Sequence, residues 1–268
     1  MIRPIGVFDS GVGGLTVLKA LRERLPCQDF IYFSDTARVP YGRKPPEMVR
    51  GFAFGIADFL LSLEVEAIVV ACNTASAAAL PDLARESPVP VWGVIEPGVE
   101  AARRVTCHGL VGVIGTTGTI ASGVYQRKLE ALGMTVWAKA CPMFVHLVEE
   151  GLADSEEADV LARHYLEDRR EIDTLILGCT HYPVLRPVIQ RVVGDGVRLV
   201  SSADVVAEAV DLALQNGFSG EGRVTHYVTG DVLAYQHTAR VIGGAEGEII
   251  PLDVTTLAQC SGSVKVGK

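Results

Sequence analysis

The chain has 268 residues, a length that suits one large or two small domains. Its 24 basic and 32 acidic residues give a formal net charge of −8, which argues against nucleic acid or an anionic membrane as the main partner, because both need a basic footprint. The N-terminal segment lacks the apolar stretch of a signal peptide, and no run approaches the roughly 20 apolar residues of a membrane span. We therefore expect a cytoplasmic α/β protein, and the net charge does not exclude an acidic small molecule as its ligand, because local backbone amides can bind an anion.

Short apolar runs alternate with helical patterns along the chain. The predicted strands are Ile5–Asp9, Phe30–Ser34, Ala67–Cys72, Val91–Val94, Leu110–Gly115, Thr135–Lys139, Thr174–Gly178, Arg198–Ser201 and Arg223–Thr229, and the segment Glu248–Leu252 completes the chain. The predicted helices are Gly14–Leu25, Glu47–Leu63, Ala75–Arg85, Ala121–Leu132, Ser155–Glu167, Pro183–Val193 and Ala203–Leu214. Strands without polar alternation are buried on both faces, so this order predicts parallel sheets covered by helices on both sides. A turn at Glu96–Pro97–Gly98 is expected to separate two units.

The segment Asp9–Gly14 closes the first strand and opens the first helix. Its glycines allow close backbone approach, and a helix N-terminus attracts anions. It is not a dinucleotide fingerprint, because Thr16 stands where the third glycine is needed. Asp9 is a candidate for binding an ammonium group or assisting a base; alternatively, Asp9 and Ser10 only cap the turn.

Two cysteines stand in segments of the same layout, which begin at Ile68 (IVVACNTASAAALPDL) and Leu175 (LILGCTHYPVLRPVI). In each, an apolar strand leads through a cysteine and small polar residues into a helix. Ligands of open α/β sheets bind at the carboxyl ends of strands, so we expect Cys72 and Cys179 to lie at a ligand site. The start of the following helix is expected to lower the pKa of Cys72. The alternative is that both are packed core thiols, which is the ordinary state of cysteine in a reducing compartment.

Further polar residues follow the strands. His181 lies two residues after Cys179 and could assist proton transfer, or be a structural imidazole. Thr116 and Thr119 belong to a run that could form a carboxylate-binding nest, or simply cap a helix. Glu149 is a candidate acid partner for His181, although most glutamates at helix ends are solvated.

Taken together, seven stretches resemble glutamate racemase, in the aspartate/glutamate racemase superfamily: FDSGVGGLTVLKAL, YFSDTARVPYGRK, VACNTASA, GVIEPG, VIGTTGTIASGVY, FVHLVEEG and LGCTHYPVL. The tail segment YVTGDVLAYQHTARVIGG also resembles C-termini of that family. The resemblance implies that Cys72 and Cys179 are catalytic acid/base thiols, assisted by Asp9 and His181, with Glu149 as a helper carboxylate. It also implies that the substrate contacts Asp9, Ser10, Tyr41, Gly42, Asn73, Thr74, Thr180 and His181. The predicted threonine nest adds Thr116 and Thr119 to these contacts.

The same resemblance implies two flavodoxin-like domains with the active site between them. Residues 1–96 plus 204–268 would form the first, and residues 97–203 the second. The implied reaction interconverts L- and D-glutamate without cofactor or metal and supplies D-glutamate for peptidoglycan. A homodimer is left open.

Racemisation needs one base on each face of the substrate, and the segments around Asp9, Cys72 and Cys179 (DSGVGG, VACNTASA and LGCTHYPVL) contain no lysine to form a Schiff base. Asn73, Thr74 and Thr180 are then expected to clamp the substrate carboxylate. Aspartate racemisation is the alternative within this class. A cysteine amidohydrolase built on Cys179, His181 and Glu149 would leave Cys72 without a role. A non-catalytic sensor of an acidic amino acid would leave both thiols unexplained.

Overall fold

A computed structural model describes residues 3–214 and 220–260, with side chains up to Leu257. Residues 215–219 and 261–268 of the predicted first domain lie outside the described residues, as does the thiol of Cys260. The strands are β1 (Ile5–Asp9), β2 (Phe30–Ser34), β3 (Ala67–Val70), β4 (Val91–Gly93), β5 (Leu110–Gly115), β6 (Thr135–Ala140), β7 (Thr174–Gly178), β8 (Arg198–Ser201), β9 (Val224–Val228) and β10 (Glu248–Pro251).

Helices connect these strands. They are α1 (Leu15–Arg24), α2 (Pro46–Ser62), α3 (Asn73–Glu86), α4 (Ile95–Val105), α5 (Thr117–Ala121), α6 (Val124–Ala131), α7 (Met143–Glu149), α8 (Glu156–Leu166), α9 (Arg186–Val193), α10 (Ser202–Ala213), α11 (Val232–Ile242) and α12 (Val254–Cys260). Short 3₁₀ turns lie at Thr36–Arg38, Tyr41–Arg43 and Tyr182–Leu185.

The strands form two parallel sheets. The first has the order β10-β9-β2-β1-β3-β4 and the second the order β6-β5-β7-β8. The two sheets share one strand order: β1 lies between β2 and β3 in the first sheet, and β5 lies between β6 and β7 in the second. The predicted α/β class with two flavodoxin-like parallel sheets is confirmed.

The central strands are buried because helices cover both faces of each sheet. Every residue of β1 and of β7 is buried. One apolar cluster runs through both halves and includes Val7 of the first sheet, Val113 of the second and Val206 of α10. α10 packs against both α1 and α4. The two sheets therefore share a continuous core.

The strand order also fixes where a ligand can bind. In each sheet the direction of winding reverses at one place, between β1 and β3 in the first sheet and between β5 and β7 in the second. A crevice forms beyond the carboxyl ends of strands at such a point. The residues after these four strands therefore face the natural binding position of each sheet.

Some local predictions were wrong. The predicted helix Pro183–Val193 opens with the 3₁₀ turn Tyr182–Leu185, so α9 begins only at Arg186. The residues Glu96–Pro97–Gly98 do not form a turn but lie in the first part of α4. Pro97 is tolerated there because amide groups in the first helical turn have no intrahelical acceptor. The predicted helix Ala121–Leu132 is interrupted at Gly123, whose φ of +64° separates α5 from α6. The exact domain boundaries stay a prediction.

Candidate active site

A cavity of about 350 Å³ lies between the two sheets, where the loops after their central strands meet. Its volume is in the range of small-molecule sites. Both sheets contribute to the wall, so neither would enclose the cavity alone. The lining residues are Ser10, Gly11, Val39, Pro40, Tyr41, Gly42, Arg43, Cys72, Asn73, Thr74, Thr116, Thr117, Pro142, Val145, His146, Glu149, Cys179, Thr180 and His181.

Most residues predicted for the site lie in this wall. They are Ser10, Tyr41, Gly42, Cys72, Asn73, Thr74, Thr116, Glu149, Cys179, Thr180 and His181. Asp9 and Thr119 do not line the cavity; both are fully buried behind it. Asp9 and Thr119 therefore contact residues that line the cavity, but they do not face the cavity themselves.

Cys72 and Cys179 reach the same cavity from different sheets. β3 ends at Val70 and β7 at Gly178, so each thiol closely follows a strand that borders the point of reversal. This equivalence explains the shared layout of the two segments. A single small ligand in the cavity therefore has access to two sulphur atoms on separate walls.

Cys72 caps α3, so the strand predicted to end at this residue is two residues shorter. Its Sγ accepts a hydrogen bond from the amide of Ala75 at 3.5 Å, and its thiol donates to Oγ of Ser10 at 3.6 Å. Burial, together with the carboxylate of Asp9, nevertheless raises the pKa of Cys72 to about 12. The predicted lowering was wrong, because the cost of desolvating a thiolate exceeds the gain from the helix start. Cys72 holds its proton at neutral pH.

His181 lies between the second thiol and a carboxylate. Its Nδ1 is 3.8 Å from Sγ of Cys179, and its Nε2 is 3.0 Å from Oε1 of Glu149. Burial disfavours the imidazolium, but these two partners outweigh it and raise the pKa of His181 to about 10. Burial acts against the charged form of Glu149 as well, yet the hydrogen bond to His181 lowers the pKa of this carboxyl. Glu149 is therefore the hydrogen-bonded neighbour of His181, and its catalytic role stays a prediction.

Asp9 supports the wall from behind. Its Oδ2 accepts hydrogen bonds from the amides of Gly11 at 3.0 Å and Gly14 at 3.1 Å, while Oδ1 is buried without a partner among the described residues. Burial raises the pKa of Asp9, against the opposing charge of His181. The carboxyl group of Asp9 fixes the glycine turn and lies behind Cys72.

Three threonine hydroxyls join the two sheets at the cavity. Oγ1 of Thr74 lies 2.8 Å from that of Thr116 and 3.2 Å from that of Thr119, and the last two are 3.0 Å apart. Thr116 also caps α5 by accepting from the amide of Thr119 at 3.2 Å. Thr119 therefore orients the two hydroxyls that face the cavity.

Two glycines allow the sheets to approach each other. A Cβ at Gly42 would lie 2.8 Å from Cβ of Thr116. A Cβ at Gly13 would overlap the imidazole of His181 and the hydroxyl of Thr180. Any side chain at these positions would push the walls apart.

The loop that carries Tyr41 is held by a residue that the sequence did not single out. Asp35 is fully buried; its Oδ2 accepts from Nε of Arg38 at 2.7 Å and from the hydroxyl of Tyr41, and its Oδ1 accepts from the hydroxyl of Thr229 at 2.9 Å. This carboxylate ties the C-terminal part of the first sheet to the cavity wall. Nothing in the local sequence distinguishes Asp35 from a turn residue.

Other lining residues were also missed, chiefly Arg43, Val145 and His146. His146 lies three residues before Glu149 on α7, a spacing that places both on one helix face. That spacing could have identified His146. Arg43 follows Tyr41 and Gly42 directly and could have been included with them.

Comparison with known proteins decides the family. The profile of the Asp/Glu/Hydantoin racemase family matches residues 6–210, which is most of the chain. The chain belongs to this family. A glutamate racemase of Thermus thermophilus is 57% identical over 245 residues, covering 90% of this chain and 92% of that protein.

Solved structures of glutamate racemases agree with the fold. The glutamate racemase of Thermus thermophilus in complex with beta-chloro-D-alanine has a TM-score of 0.88 at 53% identity, covering 94% of this chain and 98% of that one. The glutamate racemase of Francisella tularensis in complex with D-glutamate has a TM-score of 0.86 at 33% identity, with coverage of 95% and 98%. No helix within residues 3–214 and 220–260 combines the length and the apolar character needed to cross a bilayer.

Proposed function

We propose that this chain is a glutamate racemase that interconverts L- and D-glutamate with two cysteines and no cofactor. The observation that carries the proposal is the placement of Cys72 and Cys179 on separate walls of one cavity. The relatives named above support glutamate as the substrate, since they are called glutamate racemases. A substrate held between the two walls would present one face of its α-carbon to each sulphur.

The proposed reaction conserves its protons. A thiolate on one wall forms an S–H bond as the Cα–H bond breaks, and the electron pair stays on the α-carbon. The opposite thiol then gives its proton to the other face and becomes the thiolate. Cys72, which holds its proton at neutral pH, donates in one direction, and the roles of Cys72 and Cys179 exchange for the other enantiomer.

Neighbouring charges support each thiol differently. The imidazolium of His181, fixed by Glu149, supplies the positive charge that a thiolate at Cys179 would need. On the other wall, the substrate ammonium would favour the thiolate of Cys72 and be attracted by the carboxylate of Asp9 behind it.

The carbanionic intermediate requires donors that are already in position. We assign the carboxylate contacts to Asn73, Thr74 and Thr180, which lie beside the two cysteines. Ser10, Tyr41, Gly42 and Thr116 complete the proposed substrate wall. Preorganised donors in a site that excludes water are usually the largest catalytic contribution.

The direct test is circular dichroism of L- and D-glutamate solutions incubated with the purified protein without pyridoxal phosphate. Cys72→Ser and Cys179→Ser should each lower turnover below about one per cent of wild type in both directions, a barrier increase of roughly 2.7 kcal/mol. Cys107→Ser is the control, because this thiol is exposed and outside the cavity. The proposal fails if the wild type leaves both enantiomers unchanged, or if solvent deuterium does not appear at the α-carbon.

A cysteine amidohydrolase is the second candidate, favoured by the chain of contacts from Cys179 through His181 to Glu149. That chain has the order nucleophile, base and orienting acid. It gives no role to Cys72. Release of ammonia from glutamine, with glutamate left unracemised, would favour this candidate. Circular dichroism of L-aspartate solutions incubated with the protein tests the alternative of an aspartate racemase.

We further propose that the D-glutamate serves peptidoglycan synthesis in the cytoplasm. The free thiols of Cys27, Cys72, Cys107, Cys141 and Cys179 support a reducing compartment. We also propose a division into two domains, residues 1–96 plus 204–268 and residues 97–203, which limited proteolysis would test. A homodimer is a further proposal, which analytical ultracentrifugation would test.

A further inference from the structure

Tyr125 is a buried tyrosine that contacts the neighbours of both cysteines. It lies on α6 and its side chain is fully buried. The ring packs against two glycines: a Cβ at Gly98 would be 3.4 Å from its hydroxyl, and a Cβ at Gly178 would be 3.4 Å from its ring. Gly178 directly precedes Cys179. The ring is therefore held on the second-sheet side of the site.

The hydroxyl of Tyr125 reaches across to the first-sheet side. It donates a hydrogen bond to Oδ1 of Asn73 at 2.8 Å. Asn73 directly follows Cys72, lines the cavity and is 2% exposed. Its Nδ2 is buried and has no partner among the described residues. One end of this amide is thus satisfied by Tyr125 and the other is not.

The two ends of an amide side chain have opposite hydrogen-bonding roles. A hydroxyl that donates to the carbonyl end leaves the NH₂ end for an acceptor. A buried NH₂ group without an acceptor costs free energy, and a bound carboxylate would remove that cost. With the amide reversed, its carbonyl oxygen would meet the carboxylate and repel it.

We propose that Tyr125 is a positioning residue that orients Asn73, so that the amide NH₂ group of Asn73 binds a carboxylate of the substrate. This inference rests on the proposed function, because it assumes an acidic amino acid in the cavity. Tyr125 does not line the cavity and acts only through Asn73. Because Tyr125 lies on α6 and Asn73 on α3, this hydrogen bond joins the two sheets beside the cavity.

The test is Tyr125→Phe, which removes the hydroxyl and keeps the ring. We expect a five- to tenfold fall in kcat/KM for both enantiomers, mainly through a higher KM. Tyr235→Phe is the matched control: Tyr235 is also buried, but its hydroxyl pairs with Nδ1 of His226 at 2.9 Å and it does not line the cavity. The control should keep wild-type kcat and KM.

A double-mutant cycle with Asn73→Ala separates positioning from a merely structural role. If Tyr125 acts through Asn73, Tyr125→Phe causes no further loss of kcat/KM once Asn73 is alanine. An equal loss in both backgrounds would overturn the inference, and so would wild-type KM values in Tyr125→Phe. A wild type that does not racemise glutamate would overturn the proposed function and this inference together.

A second variant covers the case in which Tyr125→Phe fails to fold. Asn73→Asp can still accept from Tyr125 but presents an oxygen to the substrate. It should bind D-glutamate more weakly than Asn73→Ala does, measured by isothermal titration calorimetry. Equal or tighter binding by Asn73→Asp would show that the NH₂ end does not meet a carboxylate.

Discussion

The ion pair between His181 and Glu149 leads to a quantitative prediction for Glu149→Gln. Glutamine keeps an oxygen that can accept from Nε2, but it removes the charge that stabilises the imidazolium. A hydrogen bond to a charged group contributes about 1.5–3 kcal/mol. Because the side chain of Glu149 is 35% exposed, solvent screening places this pair near the lower value. About 1.5 kcal/mol corresponds to about one pKa unit, so the pKa of His181 should fall from about 10 by about one unit.

The pH dependence of kcat measures this shift. If the imidazolium supports catalysis, the variant should lose rate progressively above pH 8 relative to wild type, while rates near pH 7 differ less than about threefold. Titration of the substrate amino group is the same for both proteins, so the ratio of their rates isolates His181. Glu150→Gln is the control, since Glu150 is the exposed neighbour at the end of the same helix. A rate ratio that does not vary with pH would refute the assigned role of the ion pair.

Two other substitutions test the wall of the cavity and the loop behind it, and Gly51→Ala is the control for the first. Gly13→Ala should lower kcat/KM at least 100-fold, because its Cβ would displace His181, while far-ultraviolet circular dichroism shows a folded protein. Gly51→Ala, in an exposed part of α2 with open space around it, should keep wild-type activity and increase the free energy of unfolding by about 0.5–1 kcal/mol in a urea titration. Asp35→Asn should raise KM about tenfold through Tyr41, and an unchanged KM would contradict the role given to that carboxylate. The stabilisation linked to His181 is complete below pH 6.5 and is lost as the pH rises toward 10, so the melting temperature of wild type should fall over that interval more than that of Glu149→Gln.

The sequence predicted the central strands well because they are apolar on both faces. Ile5–Asp9 and Thr174–Gly178 have the predicted bounds. Helices were harder to predict where their first turn contains proline, as in α4, or where they are short, as in α7 with seven residues. Local propensity does not show that a Pro–Gly pair lies inside a helix when the helix packs against its neighbours.

Site residues were predictable where they directly follow a strand, since strand ends carry the binding position in parallel sheets. Asp35 and Tyr125 were not singled out because their roles depend on partners distant in the sequence. Tyr125 is 52 residues from Asn73, and Asp35 is 194 residues from Thr229. The pKa of Cys72 was mispredicted for a related reason: the depth of burial follows from the tertiary fold and not from the helix start.

The unequal surroundings of the two thiols have a thermodynamic consequence for a racemase. Cys72 has a carboxylate behind it, whereas Cys179 has an imidazolium beside it. Enantiomers in water have equal free energies, so the equilibrium constant of racemisation is one. The value of kcat/KM therefore has to be the same for L-glutamate and for D-glutamate. The asymmetry of charge can therefore appear only as matched changes in kcat and KM, with one enantiomer bound more tightly and turned over more slowly than its mirror image.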